Sequence, residues 1–307
     1  MKVLVTGISG FIGKNLLELA SSDLEIIGIY NNSTDIRDFV NNRGLENVQL
    51  IKCDLTNIEE VQNLREKVGA EVDYCLYLAG NVNVPLSKEN PVDDLNKTVV
   101  GLINFIKCFK KIKRFIFLST AGVYDSNVGE VDINTLLNPK EPYCISKLMA
   151  EQYIKHFQSI GKIKEYVIIR FSGAYGKYSP KKFMTKLVKD IYVDEIREVE
   201  VYGNGTNLIN VLYVNDAITA LLAGLKSDIS NIVCNLGQEN MTISEVVSRV
   251  SKIFGNDVKI KLTPTLKEQK YITFNYKSDF NDFFSFKPDF SFEEGILEFG
   301  KVLKNES

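Results

Sequence analysis

The sequence predicts an α/β protein built on a doubly wound parallel sheet, with a smaller C-terminal lobe. Two observations predict this class. Short β-branched runs alternate with helical patterns over the first half of the chain, and a glycine-rich turn follows the first run. Strands that alternate with helices form parallel sheets covered on both faces. Right-handed crossovers then place a ligand at the carboxyl ends of the central strands.

The first element is a strand at residues 2–5, followed by a turn that contains Gly7, Gly10 and Gly13. Apolar residues then recur at helical spacing. Strand, glycine turn and helix form the context of a dinucleotide (Rossmann) site, because glycine permits a tight turn and close approach of the pyrophosphate. The free N–H groups of a helix N-terminus attract phosphate. The predicted cofactor contacts in this turn are Gly7, Ser9, Gly10, Phe11, Ile12 and Gly13.

The end of the second strand, at residues 25–30, bears on the choice between NAD and NADP. An acidic residue there binds the ribose hydroxyls of NAD and repels a 2′-phosphate. This chain has Asn31 after the strand and no carboxylate before Asp35. Arg37 is a candidate to bind a 2′-phosphate, and a solvated helix residue is the alternative interpretation. The expected cofactor is therefore NADP or NAD, with a slight preference for NADP, in contact with Asn31 and Arg37.

Further strands are predicted at residues 48–52, 72–78 and 114–118, with helices at residues 58–68 and 91–112 between them. Their carboxyl ends carry small or polar residues, as expected at the ligand edge of the sheet. A carboxylate at the end of the third strand can accept a hydrogen bond from adenine, and a turn carboxylate is an equal alternative. The predicted cofactor contacts at these ends are Asp54, Leu55, Ala79 and Gly80, and the predicted substrate contact is Asn81.

Tyr143 and Lys147 are four residues apart in a predicted helix at residues 143–157, so they lie on one face. A nearby ammonium stabilises a phenolate, and we expect the pKa of Tyr143 to fall from its ordinary value of about 10. That shift would suit general acid–base catalysis. Thr120 ends the fifth strand and can donate to the same substrate oxygen. An isolated Tyr-x-x-x-Lys pair is usually a surface pair, but the dinucleotide turn favours the catalytic interpretation.

With these motifs the chain resembles the extended short-chain dehydrogenase/reductase family, the NAD-dependent epimerases, dehydratases and reductases of nucleotide sugars. The matching residues are Thr6, Gly7, Gly10, Gly13, Asp54, Ala79, Thr120, Tyr143, Lys147, Arg170, Tyr175, Gly176, Tyr213, Asp216, Ala217, Asn235, Leu236 and Gly237. The resemblance implies that Tyr143 is the acid/base and that Lys147 also binds the nicotinamide ribose. It implies that Thr120 holds the reacting hydroxyl of the substrate.

The resemblance also extends to the second half of the chain. It implies a cofactor contact at Phe171 and substrate contacts at Ser172 and Gly173. The dinucleotide-binding domain is expected at residues 1–172 and 206–231, and the smaller lobe at residues 173–205 and 232–307. The family often grips the substrate diphosphate with an arginine where this chain has Ile209. Bidentate phosphate binding is lost there, and the lysines that could replace it are Lys181, Lys182 and Lys186.

The two residues after Thr120 restrict the reaction. In the family, 4,6-dehydratases carry Asp-Glu there, whereas this chain has Ala121 and Gly122, so dehydration is not expected. The fucose-synthase type uses an extra Cys and His, but His156 lies inside the Tyr143 helix. The favoured function is therefore net reduction or oxidation at carbon 4 of a nucleotide sugar. The alternatives are a 4-epimerase and a non-catalytic dinucleotide-binding sensor.

Composition limits the partners and the location. The net charge of −2 gives no reason to expect a nucleic-acid partner. No apolar run approaches the length of a membrane span, and a strand at residue 2 leaves no room for a signal peptide. Five scattered cysteines and a single histidine indicate free thiols in a cytoplasmic protein, without a metal site. The resemblance implies a homodimer through the helices at residues 91–112 and 143–160.

Overall fold

The computed structural model describes residues 1–20, 23–33, 35–124, 129–264 and 275–305. The strands within these residues are β1 (Lys2–Thr6), β2 (Glu25–Tyr30), β3 (Val48–Lys52), β4 (Glu71–Tyr77), β5 (Lys111–Thr120), β6 (Glu130–Val131), β7 (Ile163–Phe171), β8 (Ala174–Tyr175), β9 (Glu198–Tyr202), β10 (Leu208–Tyr213), β11 (Ile232–Leu236), β12 (Glu239–Thr242), β13 (Lys259–Thr263) and β14 (Asn275–Tyr276).

The α-helices of the described residues are α1 (Phe11–Leu19), α2 (Asp35–Asn42), α3 (Ile58–Val68), α4 (Val84–Glu89), α5 (Pro91–Leu95), α6 (Gly101–Cys108), α7 (Pro142–Ser159), α8 (Phe183–Val188), α9 (Val214–Lys226), α10 (Ile243–Ile253), α11 (Phe280–Phe284) and α12 (Phe292–Asn305). A π-helical turn at Asn96–Val100 joins α5 to α6, and a second one at Lys189–Val193 follows α8. A 3₁₀ turn at Ala121–Val123 follows β5.

The chain divides into two compact units, and the first contains Met1–Tyr124, Leu137–Arg170 and Leu221–Cys234. Its sheet has seven strands in the order β11-β7-β5-β4-β1-β2-β3. The pairs β3–β2, β2–β1, β1–β4 and β4–β5 are parallel. The strand order reverses between β1 and β4, and ligands of such sheets bind at that reversal, outside the carboxyl ends. This topology confirms the predicted doubly wound parallel sheet.

Helices cover both faces of this sheet, so its central strands are apolar throughout rather than alternating. Between β4 and the helices, aromatic rings fill the core. Tyr77 has its ring centre 5.4 Å from that of Phe105 and 5.6 Å from that of Phe115, and all three are completely buried. Burial of such rings supplies much of the free energy of folding. The core therefore holds the ends of β1 and β4 in fixed positions.

The predicted helix at residues 91–112 was wrong at its C-terminal end. The helix ends at Cys108, Phe109 has an extended backbone, and β5 begins at Lys111 rather than at residue 114. The apolar side chains of Phe109 and Ile112 fit a helical spacing and are both buried. However, exposed and buried residues alternate at the start of β5, which is the period of a strand.

The second unit contains the described residues of Asp125–Leu136, Phe171–Ala220 and Asn235–Ser307. Its small sheets have the orders β12-β10-β8, β13-β9 and β14-β6. Thr242 and Glu245 form a capping box at the start of α10. The predicted domain boundaries stay a prediction. Strand β10 and the start of α9 belong to the second unit, because β10 pairs with β8 and β12.

Candidate active site

Glycine shapes the turn between β1 and α1 at two positions. Gly7 has a φ of +69°, and a Cβ on it would lie 2.9 Å from the backbone nitrogen of Ala79. Only glycine adopts this conformation without strain. A Cβ on Gly13 would lie 2.3 Å from the carbonyl oxygen of Ile8. The turn is therefore tight, and α1 begins in direct contact with it.

The N-terminus of α1 is placed to bind an anion. Gly10 precedes the first helical residue, is exposed, and no side chain caps the helix. The free N–H groups and the positive end of the helix dipole attract phosphate. A side chain at Gly10 would stand in the path of that phosphate, and glycine leaves it open. The residues that form this cradle, and that fit a dinucleotide pyrophosphate, are Gly7, Ser9, Gly10, Phe11, Ile12 and Gly13.

The end of β4 connects the glycine turn to the catalytic helix. The backbone N–H of Ala79 donates to Thr6 Oγ1 over 3.1 Å, which joins the ends of β4 and β1. Gly80 has a φ of +143°, and a Cβ there would lie 3.6 Å from both Lys147 Nζ and Thr98 Oγ1. The predicted contacts Ala79 and Gly80 thus lie between the cofactor turn and Lys147.

The carboxylate predicted at the end of β3 is held by its own turn. Asp54 accepts hydrogen bonds from the backbone N–H and the hydroxyl of Thr56, at 2.9 and 2.7 Å, and from the side chain of Asn31. Burial raises the pKa of Asp54, but these hydrogen bonds outweigh it, and the pKa lies below its usual value. Leu55 beside it is buried. Asp54 acts as a turn carboxylate, and its adenine contact stays a prediction.

Arg37 is directed towards the end of β2. Its Nε donates to Tyr30 Oη over 2.6 Å, and its guanidinium lies 5.8 Å from the centre of the Tyr30 ring. Asp35, the first carboxylate after β2, is bonded to Lys14 Nζ at 2.5 Å. The end of β2 therefore presents an oriented arginine and a carboxylate paired with a lysine.

Tyr143 lies in the first turn of α7, at the carboxyl end of β5. Its backbone N–H donates to Ser87 Oγ over 3.2 Å, which supplies a cap that α7 otherwise lacks. Its side chain is hydrogen-bonded to that of Thr120. Thr120 Oγ1 accepts the backbone N–H of Gly122 at 3.2 Å, so its hydroxyl hydrogen remains to be donated. The structure thus brings two of the three predicted catalytic residues into direct contact.

The expectation that the pKa of Tyr143 is lowered was wrong for the protein without cofactor. Burial raises the pKa of Tyr143 to about 12. The nearby Cys144 and Asp94 raise it as well, and the hydrogen bond with Thr120 offsets only part of this. Loss of hydration disfavours the charged form of any acid. Tyr143 is therefore protonated at neutral pH.

Lys147 lies one turn beyond Tyr143 and is buried. Its Nζ donates to the carbonyl oxygen of Leu118 over 2.9 Å and lies 4.8 Å from the centre of the Phe117 ring. Burial lowers the pKa of Lys147 to about 8, against the opposing charges of Asp94 and Glu151. The ammonium is directed to the end of β5. Its predicted role at the nicotinamide ribose stays a prediction.

A buried ion pair that the sequence analysis did not single out holds α7 in place. Glu151 accepts hydrogen bonds from Arg170 Nε at 3.1 Å, from Arg170 Nη2 at 2.8 Å and from Ser119 Oγ at 2.5 Å. Arg170 Nη1 also donates to Tyr124 Oη over 2.9 Å. Glu151 follows Lys147 by one helical turn. The signal in the sequence was this spacing, since residues i, i+4 and i+8 share a helix face.

Asn81, the predicted substrate contact after β4, uses its amide within the protein. Its Nδ2 donates to Asp94 Oδ1 over 2.7 Å and to the carbonyl oxygen of Asn83 over 3.3 Å. Its Oδ1 accepts the backbone N–H of Asn83 at 2.9 Å. Asn81 therefore shapes the loop before α4, and its contact with substrate stays a prediction.

Gly122 stands where dehydratases of this type carry the second acidic residue. A Cβ on Gly122 would lie only 2.5 Å from Cys144 Sγ. The sulfur atom therefore occupies the space that an acidic side chain would need. The lack of space at Gly122 agrees with the absence of both acidic residues, since Ala121 also lacks a carboxylate.

Three predicted contacts lie together in the second unit. Phe171 ends β7, and the backbone N–H of Ser172 donates to the carbonyl oxygen of Leu236 over 3.2 Å. Gly173 has a φ of +48°, and a Cβ there would lie 1.7 Å from the carbonyl oxygen of Asn210. Glycine is required at this position. The proposed contacts of these residues with cofactor and substrate stay predictions.

The described residues also bear on two other kinds of site. They contain no group of three or more His, Cys, Asp or Glu side chains arranged to hold a metal ion. They also contain no helix that is both long enough and apolar enough to cross a membrane.

Comparison with known proteins gives one family match and close structural neighbours. Residues 3–237 match the model of the NAD dependent epimerase/dehydratase family. A protein of Methanocaldococcus jannaschii, provisionally assigned as a UDP-glucose 4-epimerase, is 29% identical over 317 aligned residues, which cover 99% of both chains. The UDP-N-acetylglucosamine 4-epimerase of Methanobrevibacter ruminantium, solved with UDP-N-acetylmuramic acid, has a TM-score of 0.86 at 26% identity and covers 100% of this chain and 99% of its own.

A further neighbour supports the fold. The UDP-glucuronic acid 4-epimerase of Bacillus cereus, solved with UDP-glucuronic acid and NAD, has a TM-score of 0.84 at 22% identity, with 100% of each chain covered. At this identity the likeness shows that the two chains share a fold.

We predict that the Glu151→Gln variant loses much of its stability. Glutamine keeps the shape of the side chain but leaves Arg170 buried without its counter-charge, which costs about 3–5 kcal/mol in such pairs. The free energy of unfolding is measured by urea denaturation followed by circular dichroism. The control is Glu165→Gln, because its partner Arg114 keeps hydrogen bonds to the carbonyl oxygens of Gly224 and Ile229. Equal losses in both variants would contradict the prediction.

Proposed function

The chain belongs to the NAD dependent epimerase/dehydratase family, and from this we propose that it is an enzyme that transfers hydride between NAD(P) and carbon 4 of a nucleotide sugar. One observation carries the proposal: the side chains of Tyr143 and Thr120 interact at the carboxyl end of β5, in the same unit as a glycine turn whose geometry suits a dinucleotide. The names of the relatives support the substrate class, because they are 4-epimerases of UDP-sugars.

In the proposed mechanism the chain binds the sugar oxygen and moves its proton. NAD(P), when bound, supplies or accepts the hydride, and its oxidised ring adds a positive charge that favours a phenolate. Thr120 holds the reacting oxygen by a hydrogen bond. Tyr143 gives its proton to a 4-keto oxygen in reduction and accepts the proton of a 4-hydroxyl in oxidation. Lys147, buried and one turn away, stabilises the phenolate that remains after proton donation.

The first candidate for the net reaction is reduction or oxidation at carbon 4. A tyrosine with a pKa raised to about 12 starts as a proton donor, which suits reduction of a ketone. The second candidate is 4-epimerisation through a transient ketone, which the activities of the relatives favour. A non-catalytic sensor is the third, and it has no use for hydrogen-bonded Tyr143 and Thr120. Dehydration is disfavoured, because Cys144 fills the space beside Gly122.

We further propose that NADP binds more tightly than NAD. The Bacillus cereus neighbour contains NAD, and the preference proposed for this chain rests on its own residues at the end of β2. Arg37 is oriented by Tyr30 through a bond from Nε, which leaves the two Nη groups to bind a phosphate. The hydrogen bond and charge of Lys14 hold the pKa of Asp35 below its usual value, so this carboxylate stays ionised and is paired with that ammonium.

A homodimer and a cytoplasmic location are proposed on separate observations. Ile145, Met149 and Tyr153 repeat every four residues along α7 and are 42, 39 and 38% exposed. Such an apolar stripe on a helix is typical of an interface, and it supports a dimer through residues 91–112 and 143–160. The cysteines of this chain are free thiols, which supports a reducing compartment.

Tyr143→Phe removes one hydroxyl and keeps the ring. We predict that turnover falls by about 10²–10⁴-fold, the range that general acid–base groups contribute, while dinucleotide binding is unchanged. The measurements are kcat with a 4-keto nucleotide sugar and the Kd for NADPH from its fluorescence. Tyr153→Phe, an exposed position on the same helix, serves as the control and keeps its activity. Full turnover in Tyr143→Phe would remove Tyr143 as the catalyst.

The net reaction is decided by the stoichiometry of the cofactor. The purified protein is incubated with 4-keto and 4-hydroxy nucleotide sugars, and absorbance at the reduced nicotinamide band is followed with product formation. We expect equal amounts of cofactor and sugar to be consumed. Product without a net change in cofactor identifies an epimerase instead. Dinucleotide binding with no product from any sugar of this class favours the sensor.

Arg37→Gln tests the cofactor preference. We predict that this variant binds NADPH roughly 10- to 100-fold more weakly, because it loses a charged hydrogen bond to phosphate, and that its NADH binding is unchanged. Both are measured by fluorescence titration. The control is Arg43→Gln, whose guanidinium instead pairs with Glu18. Tighter binding of NADH than of NADPH by the wild-type protein would refute the preference.

A further inference from the structure

Asp94 is a buried carboxylate beside the catalytic helix, and the proposed mechanism does not use it. It lies in α5 with no exposed surface. Its Oδ1 accepts a hydrogen bond from Asn81 Nδ2 at 2.7 Å. Its Oδ2 is buried and has no hydrogen-bond partner within the described residues. An unpaired buried carboxylate oxygen is costly, so this position calls for an explanation.

The groups that Asp94 acts on lie on α7. Its charge raises the pKa of Lys147, of Tyr143 and of Cys144. Helix α7 therefore presents its catalytic residues towards a carboxylate that carries no salt bridge of its own in the described part of the chain. Asp93, the neighbouring residue, is instead paired with Lys97 at 2.7 Å.

The backbone at Gly80 lies beside both Lys147 and Thr98. A Cβ on Gly80 would lie 3.6 Å from both Lys147 Nζ and Thr98 Oγ1, so both atoms border the same small space. Thr98 Oγ1 accepts the backbone N–H of Asn81 at 3.3 Å, and Asn81 is the residue bonded to Asp94. The loop after β4 is therefore held between Asp94 and Lys147.

The other carboxylates near Lys147 and Cys144 are paired with cationic side chains. Glu151 is the second carboxylate that acts on it, and Glu151 is paired with Arg170 at 2.8 Å. Glu141, which acts on Cys144, is paired with Lys88 at 2.9 Å. From β5, Lys147 contacts the carbonyl oxygen of Leu118 and the ring of Phe117. Of the two carboxylates that act on Lys147, Asp94 is thus the one without a cationic partner in the described part of the chain.

We propose that Asp94 is a positioning residue that keeps the buried ammonium of Lys147 protonated and fixes the Asn81 loop beside it. The inference rests on the proposed function, in which Lys147 supports proton donation by Tyr143. Burial alone disfavours the ammonium, and Asp94 restores it without a direct salt bridge, so that Lys147 keeps its N–H groups for the cofactor ribose and Leu118. The same charge favours the protonated form of Tyr143, which is the proton-donating state.

The sign of the pH dependence follows from these charges. Lys147 has a pKa lowered to about 8 with Asp94 present. Removal of a nearby negative charge lowers the pKa of an ammonium and of a phenol alike. A variant without the charge therefore loses the protonated pair at a lower pH than the wild type does.

Asp94→Asn tests the proposal, because the amide oxygen still accepts from Asn81 and only the charge is lost. We expect the upper limb of the pH profile of kcat/KM for ketone reduction to move down by about one pH unit. The pH dependence of the Kd for NADPH, which reports on Lys147 without turnover, moves in the same direction. Asp93→Asn is the matched control and leaves both profiles unchanged.

The two readouts separate failure of this inference from failure of the proposed function. Shifted binding with no turnover by the wild-type protein refutes the function and supports the role of Asp94. Unshifted profiles with a lower melting temperature overturn the inference, because they assign Asp94 a structural role only. Asp94→Ser, a smaller uncharged variant, is measured in parallel. Failure of both variants to fold also overturns the inference.

Discussion

The buried ion pair between Glu151 and Arg170 is the interaction on which the geometry of the candidate site depends. It joins α7 to β7, and the bond from Ser119 to Glu151 joins α7 to β5. A buried ion pair gives little net stability unless it is fully hydrogen-bonded, and this one is bonded on both carboxylate oxygens. Its main effect is to fix where α7 lies along β5. Tyr143 and Thr120 meet because that position is fixed.

The same helix uses its two opposite faces for different purposes. Tyr143, Lys147 and Glu151 repeat every four residues and face inward, where each is fixed by a partner on another element. The intervening positions carry an apolar stripe that is exposed in the single chain. A residue two positions along a helix points to nearly the opposite side. The same four-residue spacing therefore produces both the inward face and the exposed stripe. The packing of this single helix therefore sets both the buried face at the candidate site and the exposed apolar stripe.

Local sequence patterns predicted much of the fold, and each failure has its own physical cause. The turn at Gly7 and the Tyr143–Lys147 pair were predictable because their partners are close along the chain. The Glu151–Arg170 pair was not, since 19 residues separate its members. The expected direction of the pKa shift of Tyr143 was wrong, because burial is a property of the folded chain and not of the local sequence. The end of the helix at Cys108 was misplaced because a short apolar run fits two periods equally well.

Burial also bears on the direction of the proposed chemistry. A phenol that meets a low dielectric and one hydrogen bond from Thr120 resists ionisation, whereas a buried lysine tends to lose its proton. The site therefore opposes the charged forms of both groups before a cofactor binds. The charge that stabilises the ionised forms must therefore come from outside the Tyr143–Lys147 pair. An oxidised nicotinamide ring would favour the phenolate, and a carboxylate such as Asp94 favours the ammonium. A site of this kind holds its proton on the phenol until a ketone oxygen draws it away, and that order of events favours reduction.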